Sequence, residues 1–181
     1  ALGMSLPGSA VDRSLRGSLA PLEKWAGKQF GDSEAPLLLS LRSSPPMPVP
    51  YLMKSVLNLG MNEGAVKAME RAFGDARLAW DAQARFLRGF AEQVLRVPPA
   101  ALDEAMEDIH AREHVEEDIG LSAGATEDLA RAYQSVIQRV TGKPAPQNAM
   151  AQLRLAIEAG FGSWAHFEAE EYRMARGLAH A

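Results

Sequence analysis

Apolar residues recur every three or four positions along most of the chain, a spacing that predicts about six amphipathic α-helices. The apolar stripes are Leu19, Leu22 and Trp25; Val66, Met69 and Phe73; Ala79, Ala82, Phe86, Phe90 and Val94; Leu102, Ala105, Met106 and Ile109; Leu129, Tyr133, Val136, Ile137 and Val140; Met150, Leu153, Ala156, Ile157 and Phe161; and Trp164, Phe167 and Tyr172. We expect these large side chains, Trp25 included, to lie in the core, because they are the usual contents of protein interiors.

Capping residues predict where the helices begin and end. Side-chain oxygens of Asn, Asp and Ser accept the free backbone N–H groups of a first turn, and glycine takes the left-handed conformation that ends a helix. The candidate N-caps are Asn58 or Asn62, Asp75, Asn148 and Ser163, and the candidate ends are Gly27, Gly74, Pro98 and Gly142. Residues 1–18 lack this periodicity until Leu15 and predict a flexible arm, followed by a helical segment over 19–177 and a tail at 178–181.

One stretch breaks the helical pattern. The apolar run from Leu37 to Leu41 predicts a buried strand, and the prolines that follow it, from Pro45 to Pro50, predict a stiff loop because proline neither continues a helix nor donates to a ladder. Arg42 stands where the strand ends, and strand ends that open into loops commonly display binding groups. A surface arginine at a turn is the plainer alternative. The predicted fold is therefore mainly α, with one or two short strands before a Pro-rich loop.

Composition narrows the choice of partners. With 181 residues, 47% of them hydrophobic, the chain can bury a core of its own. The 19 basic and 23 acidic residues give a net charge of −4 without a basic stripe, so neither nucleic acid nor an anionic membrane surface is expected as a partner. The absence of cysteine excludes disulfides and thiolate metal sites and fits a cytoplasmic location. No apolar run approaches the ~20 residues that span a bilayer.

His110 and His114 lie four residues apart on a predicted helix, with Glu107 three residues before the first of them. These side chains could share one face, as a divalent metal site requires. The segment lacks an H-E-x-x-H motif, and a plain exposed face is the favoured interpretation, so no metal ligand is assigned. No serine lies in a nucleophile motif and no glycine-rich phosphate loop occurs, so no catalytic residue is assigned either.

Several short motifs together resemble the pyruvate, phosphate dikinase family. They are Gly27-Lys-Gln-Phe-Gly-Asp32, Pro36-Leu-Leu-Leu-Ser-Leu-Arg42-Ser43, Pro50-Tyr-Leu-Met-Lys-Ser55, Val56-Leu-Asn-Leu-Gly-Met-Asn-Glu63, Ala79-Trp-Asp81 with Arg85-Phe86, Thr141-Gly-Lys143, and the run from Gln152 to Arg173. They follow one order over roughly Leu19 to Gly177. The resemblance is to part of the family's N-terminal, ATP-grasp-like nucleotide-binding region, which transfers a phosphoryl group from ATP in the full-length proteins.

The resemblance implies a site for the phosphates of ATP, carried with Mg²⁺. Arg42 matches the family's phosphate-binding arginine, and Met53, Lys54 and Ser55 lie in the matching loop. This chain has Tyr51 at the position of the family's loop glycine and Lys54 at the position of the acidic residue that follows it. The binding of ATP is therefore expected to be weak. The family's phosphohistidine and pyruvate-handling parts have no match in this chain, which is therefore not expected to be catalytic alone.

A different class of function stays open. The chain could be a non-catalytic helical module that contacts a protein partner, or a second copy of itself, through the Pro45–Leu52 loop. Val49, Tyr51 and Leu52 would be the anchors, because aromatic and apolar side chains in a rigid setting favour interfaces. A stiff loop that only packs against its own helices is the third possibility.

Overall fold

The structure, a computed structural model, describes residues 8–42, 52 and 54–177. Within these residues the chain forms seven α-helices: α1 (Gly8–Ala26), α2 (Glu63–Phe73), α3 (Ala76–Gln93), α4 (Pro99–Glu113), α5 (Ala123–Thr141), α6 (Ala149–Trp164) and α7 (Phe167–Ala175). A single 3₁₀ turn, Asp118–Gly120, joins α4 to α5. The prediction of a mainly α, multi-helical domain is confirmed. No helix of the described part is both long and apolar enough to cross a bilayer.

Four short strands form two small sheets rather than the one or two strands expected. The strand β1 (Gln29–Phe30) pairs in parallel with β2 (Pro36–Leu37), and β3 (Leu39–Leu41) pairs antiparallel with β4 (Val56–Leu59). The apolar run that predicted one strand is thus divided at Leu38 between two sheets. The second sheet carries the candidate site at the end where β3 stops and β4 begins.

The predicted caps explain most of the helix boundaries. The side chains of Asn62, Asp75 and Asn148 accept backbone N–H groups of Ala65, Leu78 and Ala151 at 2.9, 3.0 and 2.9 Å. Gly74 and Gly142 end α2 and α5 in the left-handed conformation, as predicted. The Ser163 cap is wrong: this residue lies inside α6, and its hydroxyl donates to the Gly160 carbonyl at 2.7 Å. His166 occupies the N-cap position of α7 instead.

The core forms around α3, which packs against α2, α4, α5 and β4. Its inward face carries Phe86, Leu87 and Phe90, all at most 1% exposed, and the two phenylalanine rings lie 5.3 Å apart between centroids. Tyr133 and Ile137 of α5 are buried on the same core. The periodicity of both helices therefore identified the correct buried faces.

Four aromatic residues that the pattern placed in the core are exposed. Trp25 is 88% exposed, Phe73 61%, Phe161 62% and Phe167 67%. In α1 the side chain of Leu19 is buried, whereas those of Leu22 and Trp25 are exposed. The apolar stripes correctly predicted amphipathic helices. The apolar face of such a helix is buried, however, only where another element packs on it. The helix α1 also starts at Gly8, inside the segment expected to be an arm; the wider division into arm, helical segment and tail stays a prediction.

Tyr133 should make the fold sensitive to alkali. Burial raises the pKa of Tyr133 above the ordinary value for tyrosine, although the neighbouring Arg88 opposes the shift. Above a pH of about 10 the unfolded chain therefore loses this proton while the folded chain keeps it, and folding stability falls as pH rises. We expect the free energy of unfolding, measured in urea between about pH 9 and 11, to decline less steeply for Tyr133→Phe. Parallel declines in the two proteins would contradict this.

Candidate functional site

The register of the β3–β4 sheet brings together the two parts of the predicted phosphate site. Leu41 of β3 lies opposite Val56 of β4 in an antiparallel pair. Arg42 directly follows β3, and Lys54 and Ser55 directly precede β4, so all three residues lie at the same end of this sheet. Residues separated by the whole Pro-rich loop thus meet at one end of the sheet.

The side chains of Arg42, Lys54 and Ser55 are exposed, and none of them forms a hydrogen bond or ion pair with another described residue. Two cations and a hydroxyl are accordingly free to meet an anion from solvent. The fourth predicted residue, Met53, lies outside the described residues, as do Tyr51 and most of the Pro-rich loop.

Gln93 at the end of α3 fixes the second half of this site. Its side-chain carbonyl accepts the backbone N–H of Lys54 at 2.9 Å, which ties the loop end to the central helix. The sequence pattern did not single out Gln93. The contact joins residues 39 positions apart, and a short sequence motif cannot indicate a hydrogen bond between residues so far apart in the chain.

The strand β4 is held firmly beneath the site. Val56 and Leu59 are fully buried, and Asn58, with a positive φ of 56°, donates from its side chain to the Ala82 carbonyl at 3.2 Å. Asn58 is therefore a strand residue, and Asn62 is the cap of α2. Gly60 then turns the chain with φ 102°, where a side chain would be strained and its Cβ would come within 3.0 Å of the Leu37 carbonyl oxygen. The Val-Leu-Asn-Leu-Gly motif thus specifies a strand and the turn that ends it.

Gln152 of α6 secures that turn from the inside. Its buried side-chain oxygen accepts the Gly60 N–H at 2.8 Å, and its nitrogen donates to the carbonyls of Met61 and Pro146, each at 2.8 Å. The side chain is fully buried, and these contacts use most of its hydrogen-bonding capacity. The site thus rests on a strand whose exit is pinned to another helix.

The histidine pair considered for metal binding is arranged differently from a metal site. His110 lies 2.7 Å from Asp118 through Nε2, and His114 caps the end of α4 in the left-handed conformation. Arg77 holds the same turn by donating to the backbone carbonyls of Asp118, Ile119 and Leu121. In the described part of the chain, no three His, Asp or Glu side chains are grouped to hold a metal ion. The segment is therefore a braced connection between α4 and α5.

The geometry defines a class: a mainly α domain with a two-stranded antiparallel sheet, in which an exposed arginine follows one strand and an exposed lysine precedes the other. No protein-family model matches the chain. Among curated proteins it is similar to pyruvate, phosphate dikinase of Rhizobium meliloti, with 38% identity over 97% of this chain and 20% of that protein. The dikinase of Giardia intestinalis is 36% identical over 90% of the chain and 18% of its own length. The chloroplastic dikinase 1 of Arabidopsis thaliana is 37% identical over 94% of the chain and 18% of its own length.

The chain is therefore similar to one segment of the pyruvate, phosphate dikinases. It spans about a fifth of the length of the curated relatives that it matches. The resemblance that the short motifs indicated is confirmed over nearly the whole chain.

Proposed function

We propose that this chain is part of the nucleotide-binding region of a dikinase-like protein, that Arg42, Met53, Lys54 and Ser55 bind ATP, and that Arg42, Lys54 and Ser55 contact its phosphates. The observation that supports the proposal is the pairing of Leu41 with Val56, because Arg42 follows the one and Ser55 precedes the other, and both side chains are exposed. Arginine suits phosphate because its planar guanidinium donates two parallel hydrogen bonds, and a lysine adds a mobile point charge.

Weak binding is the expected consequence of the loop sequence. Tyr51 stands where the resembling family has a glycine, and a tyrosine side chain keeps phosphate away from loop backbone N–H groups. The backbone N–H of Lys54 is already donated to Gln93, so it is not free for a ligand in this conformation. The affinity must come mainly from the side chains of Arg42, Lys54 and Ser55. We therefore expect a dissociation constant on the order of a millimolar.

We assign binding, and not phosphoryl transfer, to this chain alone. Transfer requires cations around the phosphates from several directions, together with metal ions that bridge them. Arg42 and Lys54 approach from one sheet end only. Among the described residues of the site, the Ser55 hydroxyl is the one side-chain oxygen, whereas Mg²⁺ prefers carboxylates and phosphates. Mg²⁺ would thus arrive as the counter-ion of ATP and would be held mainly by its phosphates.

Titration of the isotopically labelled protein with ATP, with and without Mg²⁺, tests the proposal by NMR. We expect saturable shifts of backbone amides centred on Arg42, Lys54 and Ser55. Arg42→Ala should weaken binding by about tenfold or more, because a charge-assisted hydrogen bond is lost. Arg139→Ala is the matched control, since Arg139 is an exposed arginine of α5 outside the site, and it should leave the affinity unchanged.

Two outcomes would contradict the nucleotide proposal. The first is the absence of saturable shifts at about 10 mM ATP, well above the expected dissociation constant. The second is an equal loss of affinity in Arg42→Ala and Arg139→Ala, which would show that the affinity for ATP depends only on the net charge of the protein.

A protein-interaction module is the competing proposal, with the Pro45–Leu52 loop as the contact. Exposed apolar side chains elsewhere in the described part favour it, above all Trp25 on α1 and Phe161 and Phe167 near the α6–α7 junction. Such side chains are typical anchors of protein interfaces. The ATP titration separates the two proposals, because a module that only contacts proteins gives no saturable shifts at Arg42.

A further inference from the structure

The helical part of the molecule contains a cavity of about 780 Å³, which opens between α2, α3, α5 and the segment that precedes α6. Arg42, Lys54 and Ser55 are not among its lining residues, so it is separate from the phosphate site. Its volume falls in the range of small-molecule pockets. Val66, Leu87 and Ala130 supply an apolar part of the lining, on which the body of a ligand can rest.

Gln83 gives this cavity an unused hydrogen-bonding group. The residue lines the cavity, is 4% exposed, and its side-chain oxygen is buried without any hydrogen-bond partner. Its side-chain nitrogen likewise forms no hydrogen bond with a described residue. Buried amide groups almost always have partners, so an orphan at the wall of a cavity points to a partner from outside the chain. A ligand with an N–H donor would satisfy the oxygen.

The charges around the cavity favour a cation. The lining carries three carboxylates, Glu63, Glu70 and Glu127, and two cations, Lys67 and Arg131. Arg131 is already engaged, because it donates to Glu127 at 2.5 and 3.1 Å and lies over the Trp80 ring at 5.8 Å. This leaves two carboxylates and one lysine on α2, a net charge of −1 along that wall. An anionic ligand would be repelled there, whereas a monocation would be attracted.

We propose that this cavity binds a small organic cation, an amine or guanidinium compound with a short apolar body. A half turn of the unpartnered Gln83 amide brings its oxygen to the cavity side, where an N–H of the ligand donates to it. The charge lies along the α2 wall near Glu63 and Glu70, and the apolar body packs toward Val66 and Leu87. The proposal is independent of nucleotide binding at Arg42.

Three ligands that share a butyl chain and differ in their head group test the charge and the hydrogen bond separately on the unaltered protein. Butylguanidine carries both the charge and the N–H donors, butylurea carries the donors without the charge, and butyltrimethylammonium carries the charge without the donors. We expect butylguanidine to give saturable amide shifts on α2, α3 and α5 below about 20 mM, and each of the other two to bind about tenfold more weakly. Equal binding of all three, or no saturation by butylguanidine, would overturn the proposal.

Substitutions then locate the ligand. Gln83→Leu removes the acceptor without enlarging the cavity much, and it should weaken butylguanidine about tenfold while leaving butyltrimethylammonium unchanged. Glu70→Gln should weaken both cations, whereas Glu104→Gln, an exposed acid of α4 outside the lining, should affect neither. Because Gln83→Leu removes an unsatisfied buried group, it should fold normally. Unchanged butylguanidine binding in both Gln83→Leu and Glu70→Gln would overturn the assigned site.

Discussion

Gln152→Leu is expected to lower the free energy of unfolding by about 3–5 kcal/mol, because it leaves two buried backbone groups and one partly buried carbonyl without their partner. The side chains are similar in size, so the loss reflects hydrogen bonding more than packing. Each orphaned group costs about 1–3 kcal/mol, and the two carbonyls recover part of this through other contacts. Urea unfolding measures the change. The loss is a large fraction of the ~5–15 kcal/mol by which domains are usually stable.

Gln138→Leu is the matched control for this substitution. Gln138 is an exposed residue of α5 whose side chain has no hydrogen bond with a described residue, so its replacement should change stability by no more than about 0.5 kcal/mol. The Gly60 amide should also shift in the NMR spectrum of Gln152→Leu, because it loses its acceptor. If both variants unfolded at the same urea concentration, Gln152 would not hold the Gly60 turn in solution.

The helices were predictable because their signals are local. A cap and the N–H that it accepts lie three residues apart, as with Asn62 and Ala65, so the sequence shows both partners at once. The apolar stripes of α3 and α5 are local in the same sense, and both helices are buried along the predicted faces.

The supports of the site were not predictable in this way. Gln152 reaches Gly60 across 92 residues and Gln93 reaches Lys54 across 39, and a glutamine in a helix looks the same whether it is exposed or buried. The orphaned Gln83 gave no signal for the same reason. Trp25 shows the opposite failure: its apolar stripe was clear, but periodicity does not tell whether a partner surface exists.

Arg88→Met is expected to lower the free energy of unfolding by about 1.5–3 kcal/mol, because Arg88 joins three helices through polar contacts. From α3 it donates to Asp103 of α4 at 2.5 Å and to the Tyr133 hydroxyl of α5 at 3.4 Å, and it pairs with Glu92 at 3.1 Å. Burial alone would lower the pKa of Arg88, but the hydrogen bonds to Asp103 and Tyr133 outweigh it and raise the pKa. A fully buried pair would cost about 3–5 kcal/mol to break, and the partial exposure of this group reduces that figure.

Arg85→Met provides the matched comparison, since Arg85 lies on the same helix and pairs with Asp81 at 2.7 Å in an exposed setting. An exposed pair four residues apart contributes about 0.3–0.5 kcal/mol, and added salt screens it. We therefore expect urea unfolding to show a loss several times larger for Arg88→Met, and we expect that loss to persist in about 1 M salt while the Arg85→Met loss disappears. Equal losses in the two variants would mean that Arg88 is merely a surface ion pair. A larger loss at Arg88 would instead identify the α3–α4–α5 junction as a polar contact that holds the helical core together.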